Sequence, residues 1–279
     1  MSTQTGASFK KEFLAFFRTR TFLTIALVIV GLAIVIPLMV TGMGLFMGEM
    51  SEFYEELGTD VTGMTEALSE SAIIGVQSSI ESISSVGLII TVIMLNKFAG
   101  GEQKRRSIII PRSSGLRSFA YIFPKFIIYP LSILILSIAG AFTSWLISIP
   151  LFTENNLTAN GVLLAGVLTG VTLMLYVCFH LTLGTATGKA GMSSAICITM
   201  AFILPGVLSQ IVDGNLYNPF TLELLVIPVL QSRSISATML QDILVTIGFA
   251  LGIMVILFLV ALFAQNAKRI DNRGNEIDL

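Results

Sequence analysis

Residues 22–43 read FLTIALVIVGLAIVIPLMVTGM, an apolar run without a single charged side chain. A bilayer's hydrocarbon core of about 30 Å is crossed by about 20 residues of helix, so the run reads as a membrane-spanning helix. Working outward, five further segments pass the same test: 73–95, 119–149, 162–184, 192–212 and 243–264. Composition agrees. With 54% hydrophobic and 12% charged residues, about half the charge of an average soluble protein, the chain has too little polar surface to cover a water-facing globule. The expected fold is all-α: one polytopic membrane domain over 1–279, six transmembrane helices, both termini cytoplasmic.

The distribution of charge sets the expected sidedness, because Lys and Arg accumulate in cytoplasmic segments. The N-terminal arm carries Lys10, Lys11, Arg18 and Arg20, the region from Lys97 to Lys125 carries seven basic residues, and Lys189, Lys268, Arg269 and Arg273 follow. Fifteen of sixteen basic residues thereby fall on one side, with Arg233 opposite. Residues 44–72 form an outer acidic loop with Glu49, Glu52, Glu55, Glu56, Asp60, Glu66 and Glu70 and no basic residue. The arm resembles the charged region of a signal peptide, but its apolar run is long and no A-x-A site follows, so an uncleaved anchor is expected. In SFKKEFLAFFRTR, Phe9, Phe13, Phe16 and Phe17 make a helical apolar stripe that predicts an interfacial helix over 7–20. Residues 213–242 hold an apolar core, 222–230, too short to cross and broken by Pro228; an outer interfacial or partly re-entrant element is expected there.

Catalytic and metal chemistry find little support. The one histidine, His180, has no second His or neighbouring carboxylate in sequence to complete a metal set. It shares a helical stripe with Tyr176 and Thr172 and reads as an interhelical hydrogen-bonding group or as a substrate contact. GTATGKAG around Lys189 fails the phosphate-binding spacing: Leu183 stands where the first glycine belongs and Ala190 where a hydroxyl should meet magnesium. A net charge of −1 gives no bulk attraction to nucleic acid. Cys178 and Cys197 sit in apolar segments without a CxxC partner and read as packing residues.

Two polar constellations remain. In IIGVQSSIESISSVGL, Gln77, Glu81 and Ser85 recur every fourth residue. An intramembrane carboxylate marks a water-lined or paired site, but Glu81 lies sixteen residues before Lys97, about 24 Å along a helix, which brings it close to the outer interface. Two readings therefore stand: Gln77, Glu81, Ser85, Tyr176 and His180 line a translocation path, or this helix end simply emerges into water. The second constellation is GGEQKRRSIIIPRSSGLR, residues 100–117, with five basic residues against one acidic. Topology and lipid-headgroup attraction account for positive charge there; they leave three consecutive isoleucines among the charges unexplained.

That stretch, with the flat N-terminal helix and six spans, resembles the permease subunits of ABC type-2 exporters. Glu102, Ser107, Ile108, Ile109, Ile110, Pro111, Arg112, Ser113 and Ser114 follow the family's cytoplasmic coupling segment between spans two and three. The resemblance implies a coupling segment over 97–118 in which Glu102, Arg105, Arg106, Ile108, Ile109, Ile110, Pro111 and Arg112 engage a separate ABC ATPase. It implies further a second permease copy, identical or related, and a bacterial plasma-membrane location. No cofactor is expected in this chain; ATP and magnesium would sit on the partner ATPase. A non-transporting membrane scaffold that recruits a soluble partner through the basic loop is the alternative. An ion-coupled transporter would place ionisable residues at mid-membrane, and an intramembrane enzyme would need convergent catalytic groups; the sequence offers neither.

Overall fold

The computed structural model describes residues 2–50, 53, 71–102, 115–153, 156–211, 218–220, 222–232 and 236–274, the side chains of 2–3, 208–211 and 268–274 excepted. All regular elements among them are helices. A leading helix α1 (Ser2–Arg18) is followed by α2 (Arg20–Glu49), α3 (Ala72–Gly101), α4 (Ser118–Leu151), α5 (Ala159–Thr187) and α6 (Ala190–Ile211). A 3-10 turn, Leu222–Leu225, then leads into the short α7 (Val226–Gln231), and α8 (Ala237–Gly274) closes the described chain. Helices α2 to α6 and α8 make six that are long and apolar enough to cross a membrane, the architecture of a multi-pass membrane protein.

Each expected span is present and starts before its apolar core, α8 at Ala237 rather than at 243, and all but α6, described to Ile211, also run past the core's end. Backbone hydrogen bonding does not stop where hydropathy does, so polar flanks prolong the helices. α1 covers Ser2–Arg18, and Thr19 separates it from α2 with an extended backbone (φ −81°, ψ 156°). Its stripe is split: Phe16 is fully buried, while Phe9, Phe13 and Phe17 are exposed.

The bundle is organised around α5, whose most apolar window is 72% buried, against 22% for α2 and α8 and 17% for α6. The start of α5 is fixed by Thr158, whose hydroxyl accepts the Gly161 N–H at 3.1 Å, an N-cap that satisfies one orphan donor. Its end is fixed by Gly188, left-handed at φ 69°, whose N–H returns to the Gly184 carbonyl at 2.9 Å, a turn that favours glycine because it has no Cβ. The glycine of GTATGKAG that superficially suggested a phosphate loop is thus a helix stop.

Without a hydrophobic force to pull helices together in lipid, close approach of small residues does the work. A Cβ at Gly170 would lie 2.5 Å from Leu134 Cδ1 and 3.1 Å from its Cα on α4. One at Gly184 would lie 2.6 Å from the Ala99 Cβ and 2.8 Å from its carbonyl carbon on α3. The Leu134 Cδ1 could swing away, but the Leu134 Cα and the Ala99 atoms cannot yield by a rotamer change. The 222–231 region packs inward too: Leu222, Val226, Val229 and Leu230 are buried in one cluster with Ala72, Val76 and Ile80 of α3.

Gly184→Ala is expected to destabilise the purified protein by about 1–3 kcal/mol, the usual cost of overpacking. Gly248→Ala, with nothing within 4 Å of the added carbon, serves as the neutral control; thermal unfolding of both variants in detergent measures the difference.

Candidate functional site

Two polar sites lie at opposite ends of α3. The first is built around Lys125 of α4, whose side chain is only 3% exposed. Burying an ammonium is costly unless it is paired and hydrogen-bonded, and Lys125 is both. Its Nζ donates to Glu102 at 2.8 Å and to the Phe98 carbonyl at 3.1 Å, and lies 3.6 Å from Glu12 of α1. The carboxylates are held in turn. Tyr129 donates its hydroxyl to Glu12, and Tyr121 donates to Glu102 at 2.7 Å. From the exposed side Lys11 approaches Glu12 at 3.7 Å and Glu102 at 3.9 Å. Phe16 packs edge to face on Phe98 and on Tyr129, with centroids 5.0 Å apart between Phe16 and Tyr129, and Phe98 and Tyr129 meet at a tilt. Burial pushes the Glu102 carboxyl up, but the Lys125 charge, the hydrogen bonds from Lys125 and Tyr121 and the Lys11 charge outweigh it and hold Glu102 below the usual carboxylate value.

Glu102 is the member of the expected coupling set that falls among the described residues, and it is turned into the bundle. Arg105, Arg106, Ile108, Ile109, Ile110, Pro111 and Arg112 lie outside the described residues, as do Ser107, Ser113, Ser114 and nearly all of the acidic loop. Lys125, counted from the sequence as one of seven basic residues of the region, is a buried ion-pair partner. Glu12 escaped notice because it stands between two lysines and a phenylalanine stripe; its distance of 113 residues from Lys125 leaves no local trace.

The second site is a half-open pocket of about 310 Å³ bounded by α3, α5, α6 and the 222–227 turn. Gln77, Glu81 and Ser85 line it from α3 and Tyr176 from α5. Gln77 donates to Glu81 at 2.9 Å, and the Ser85 hydroxyl donates to the Glu81 carbonyl at 2.7 Å. The α3 helix widens into a π-helical turn at Ile83–Gly87, which presents Ser84 to the pocket beside Ser85. Such turns insert one residue into the helical count and cluster at functional positions.

Glu223 completes the pocket and was not foreseen. Its only signal is one carboxylate inside the apolar run TLELLVIPVL, and a strictly surface element would have carried it away from α3. Burial, reinforced by the charge of Glu81, raises the Glu223 carboxyl above its ordinary value, against the opposing influence of the nearby Ser84 hydroxyl.

His180 joins neither site. Its Nδ1 lies 2.9 Å from the Ser193 hydroxyl, which donates to the His180 carbonyl at 2.7 Å. One hydroxyl proton cannot serve both, so Nδ1–H donates to Ser193 while Ser193 donates to the carbonyl; the pair ties α5 to α6. Asn96 and Ser194 make a second tie, between α3 and α6. Among the described residues no group of three His, Cys, Asp or Glu could hold a metal. Comparison with known proteins returns no match: no family model, curated protein or solved structure aligns significantly with this chain.

Lys125→Met leaves buried Glu12 and half-buried Glu102 with only the exposed, more distant Lys11 beside them and is expected to cost about 3 kcal/mol, the lower end for breaking a buried pair, read as a lowered unfolding midpoint. For Glu102 the sign follows from its depressed pKa. Its stabilising effect is fully present above the unfolded value of 4.5 and is lost as pH falls through the lower folded value. Unfolding midpoints of wild type and Glu102→Gln should therefore differ at pH 7 and converge as the medium is acidified below pH 4.5.

Proposed function

We propose that this chain is the membrane-spanning permease subunit of an ATP-driven ABC exporter of the bacterial plasma membrane, working as a dimer with a separate ATPase. The observation that carries the reading is the anchorage of the basic segment. It leaves α3 immediately after Glu102 and re-enters the described chain at Gly115, before α4, and Glu102 at one end is clamped to Lys125 and Tyr121 at the other. A soluble partner pressing on that segment would act on α1, α3 and α4 together, since Glu12 ties α1 into the same cluster. A loop serving topology alone has no need of such a footing.

The remaining features fit the same assembly. Excess basic charge places the segment, both termini and α1 on the cytoplasmic side. There α1 lies along the inner leaflet with Phe9, Phe13, Leu14 and Phe17 toward lipid and Glu12 and Phe16 inward. Glu81 and Glu102 are 21 residues apart on one helix, about 30 Å, so the polar pocket opens toward the outer leaflet. ATP is hydrolysed on the partner, and this chain supplies the path.

Purification of the native complex, together with the product of any adjacent gene encoding a nucleotide-binding ATPase, tests the assignment. Replacing Ile108, Ile109 and Ile110 with Ser is expected to remove most of the copurifying ATPase while leaving membrane insertion and the unfolding midpoint unchanged. Retention of the ATPase by that variant would refute the docking role; an ATPase-bound complex that moves no cargo in vesicles would favour the scaffold.

A further inference from the structure

The pocket at the α7 end of the bundle has an unbalanced chemistry. Two carboxylates, Glu81 on the exposed rim and Glu223 deeper in, face the same space, and neither meets a Lys or Arg among the described residues. One oxygen of Glu223 is buried without a hydrogen-bond partner. The Tyr176 side chain, 4% exposed, lines the pocket with its hydroxyl equally unpartnered. The Ser84 hydroxyl on the same wall is likewise buried without a partner. Buried polar groups in native proteins are nearly always satisfied, and a carboxylate oxygen and two hydroxyls left open around one concave space mark a place for a polar group of a ligand. The rest of the lining, including Ile80, Leu88, Phe202 and Leu224, is apolar.

We propose that this pocket binds an organic ammonium cation carrying an apolar body, and that such cationic amphiphiles are the cargo class of the transporter. The cargo half of the statement rests on the exporter reading; the binding half does not. An ammonium N–H group donates to the Glu223 oxygen, to Glu81 and to Tyr176, whose ring faces a cation favourably, while a hydrocarbon body covers the apolar wall. An inorganic cation would satisfy the carboxylates alone. Hard cations such as calcium take six to eight oxygen ligands, and this wall would leave most of that shell unfilled. At about 310 Å³ the site lies at the small end of ligand pockets, which run from about 300 Å³ upward. It holds an amine headgroup with a short chain or ring and is too small for a folded peptide.

The test uses the full purified chain without its partner, in an uncharged maltoside detergent at pH 7.5, titrated calorimetrically with octylammonium and, separately, with 1-octanol; both are corrected for empty micelles. Octylammonium is expected to bind saturably, with octanol at least about tenfold weaker, the scale of one charge-assisted hydrogen bond. Glu81→Gln and Glu223→Gln should each weaken octylammonium by about tenfold and leave octanol unchanged. Equal binding of octanol and octylammonium overturns the proposal, as does full affinity in both variants. Saturation by sodium or calcium ions that expel octylammonium overturns it equally, in favour of an inorganic cation site. Should Glu223→Gln fail to fold, Glu81→Gln on the exposed rim decides alone. No ATPase enters the assay, so a failed docking experiment leaves this result readable, and absent binding leaves the docking result standing.

Discussion

A single ammonium group held in an apolar helix dictates how one end of this molecule is assembled. Lys125 sits within α4 among aromatic rings, where an unpaired charge would be prohibitively expensive. Its neutralisation needs carboxylates that α4 does not contain, so they come from α1 and from the last turn of α3. α1 therefore lies against α4, with Glu12 and Phe16 turned in and the remaining phenylalanines left outside. Buried ion pairs contribute little net stability compared with apolar packing, and their strength lies in penalising every arrangement that leaves one partner alone. Here the alternatives so penalised are an α1 detached from the bundle and an α3 that slips in register.

The same turn of α3 is constrained from its other side. Lys97–Gly101 is π-helical, and its wider backbone turns the Phe98 carbonyl toward Lys125 while Ala99 and Gly100 press on the end of α5. A Cβ at Gly100 would stand 3.0 Å from the Gly184 carbonyl and 3.1 Å from the Ala190 nitrogen. Ionic ties on one face and glycine contact on the other leave this turn little room to move independently, and the basic segment begins directly after it. Specificity at the charged face and proximity at the small-residue face are complementary. The first fixes which helices meet, the second how closely.

The sequence made some of this legible and hid the rest for physical reasons. Hydropathy is a local property, so six helices long enough to cross a membrane could be read directly, with boundaries that fell short where helices continue into polar flanks. The fourfold spacing of Gln77, Glu81 and Ser85 is also local, and those side chains do share a face. Juxtapositions of distant residues left no trace: Glu12 beside Lys125, Glu223 facing the same pocket as Glu81, His180 hydrogen-bonded to Ser193. Lys125 looked like one more positive charge at a helix start because charge counting cannot distinguish a flank from a buried partner. The π-helical turns have no simple sequence signature, yet they decide that Ser84 and Ser85 reach the pocket together. His180 was grouped with Tyr176 by spacing, but neighbours on one helix can face different partners, and it is Ser193 of α6 that takes the ring.

α3 connects these observations, as the one described helix that contributes to both polar sites. Between its π-helical turns lies Leu88–Asn96, an ordinary α-helical rod of nine residues, about 14 Å. The rod is bound laterally to α6 through Asn96 and Ser194, and buried Leu88, Val92 and Leu95 pack in the main core. A rod so held resists bending, whereas π-helical turns are places where a helix changes its hydrogen-bond register at small cost. Under the proposed reading, a load on the basic segment reaches the rod through the Glu102–Lys125 anchorage and is relieved at Ile83–Gly87, the turn that presents Ser84 and Ser85 to the pocket. Rotation there would carry Glu81 relative to Glu223, which is held by a different element. Separating the two carboxylates would weaken a site that depends on both, and the same displacement that couples to the partner would thereby release a bound cation.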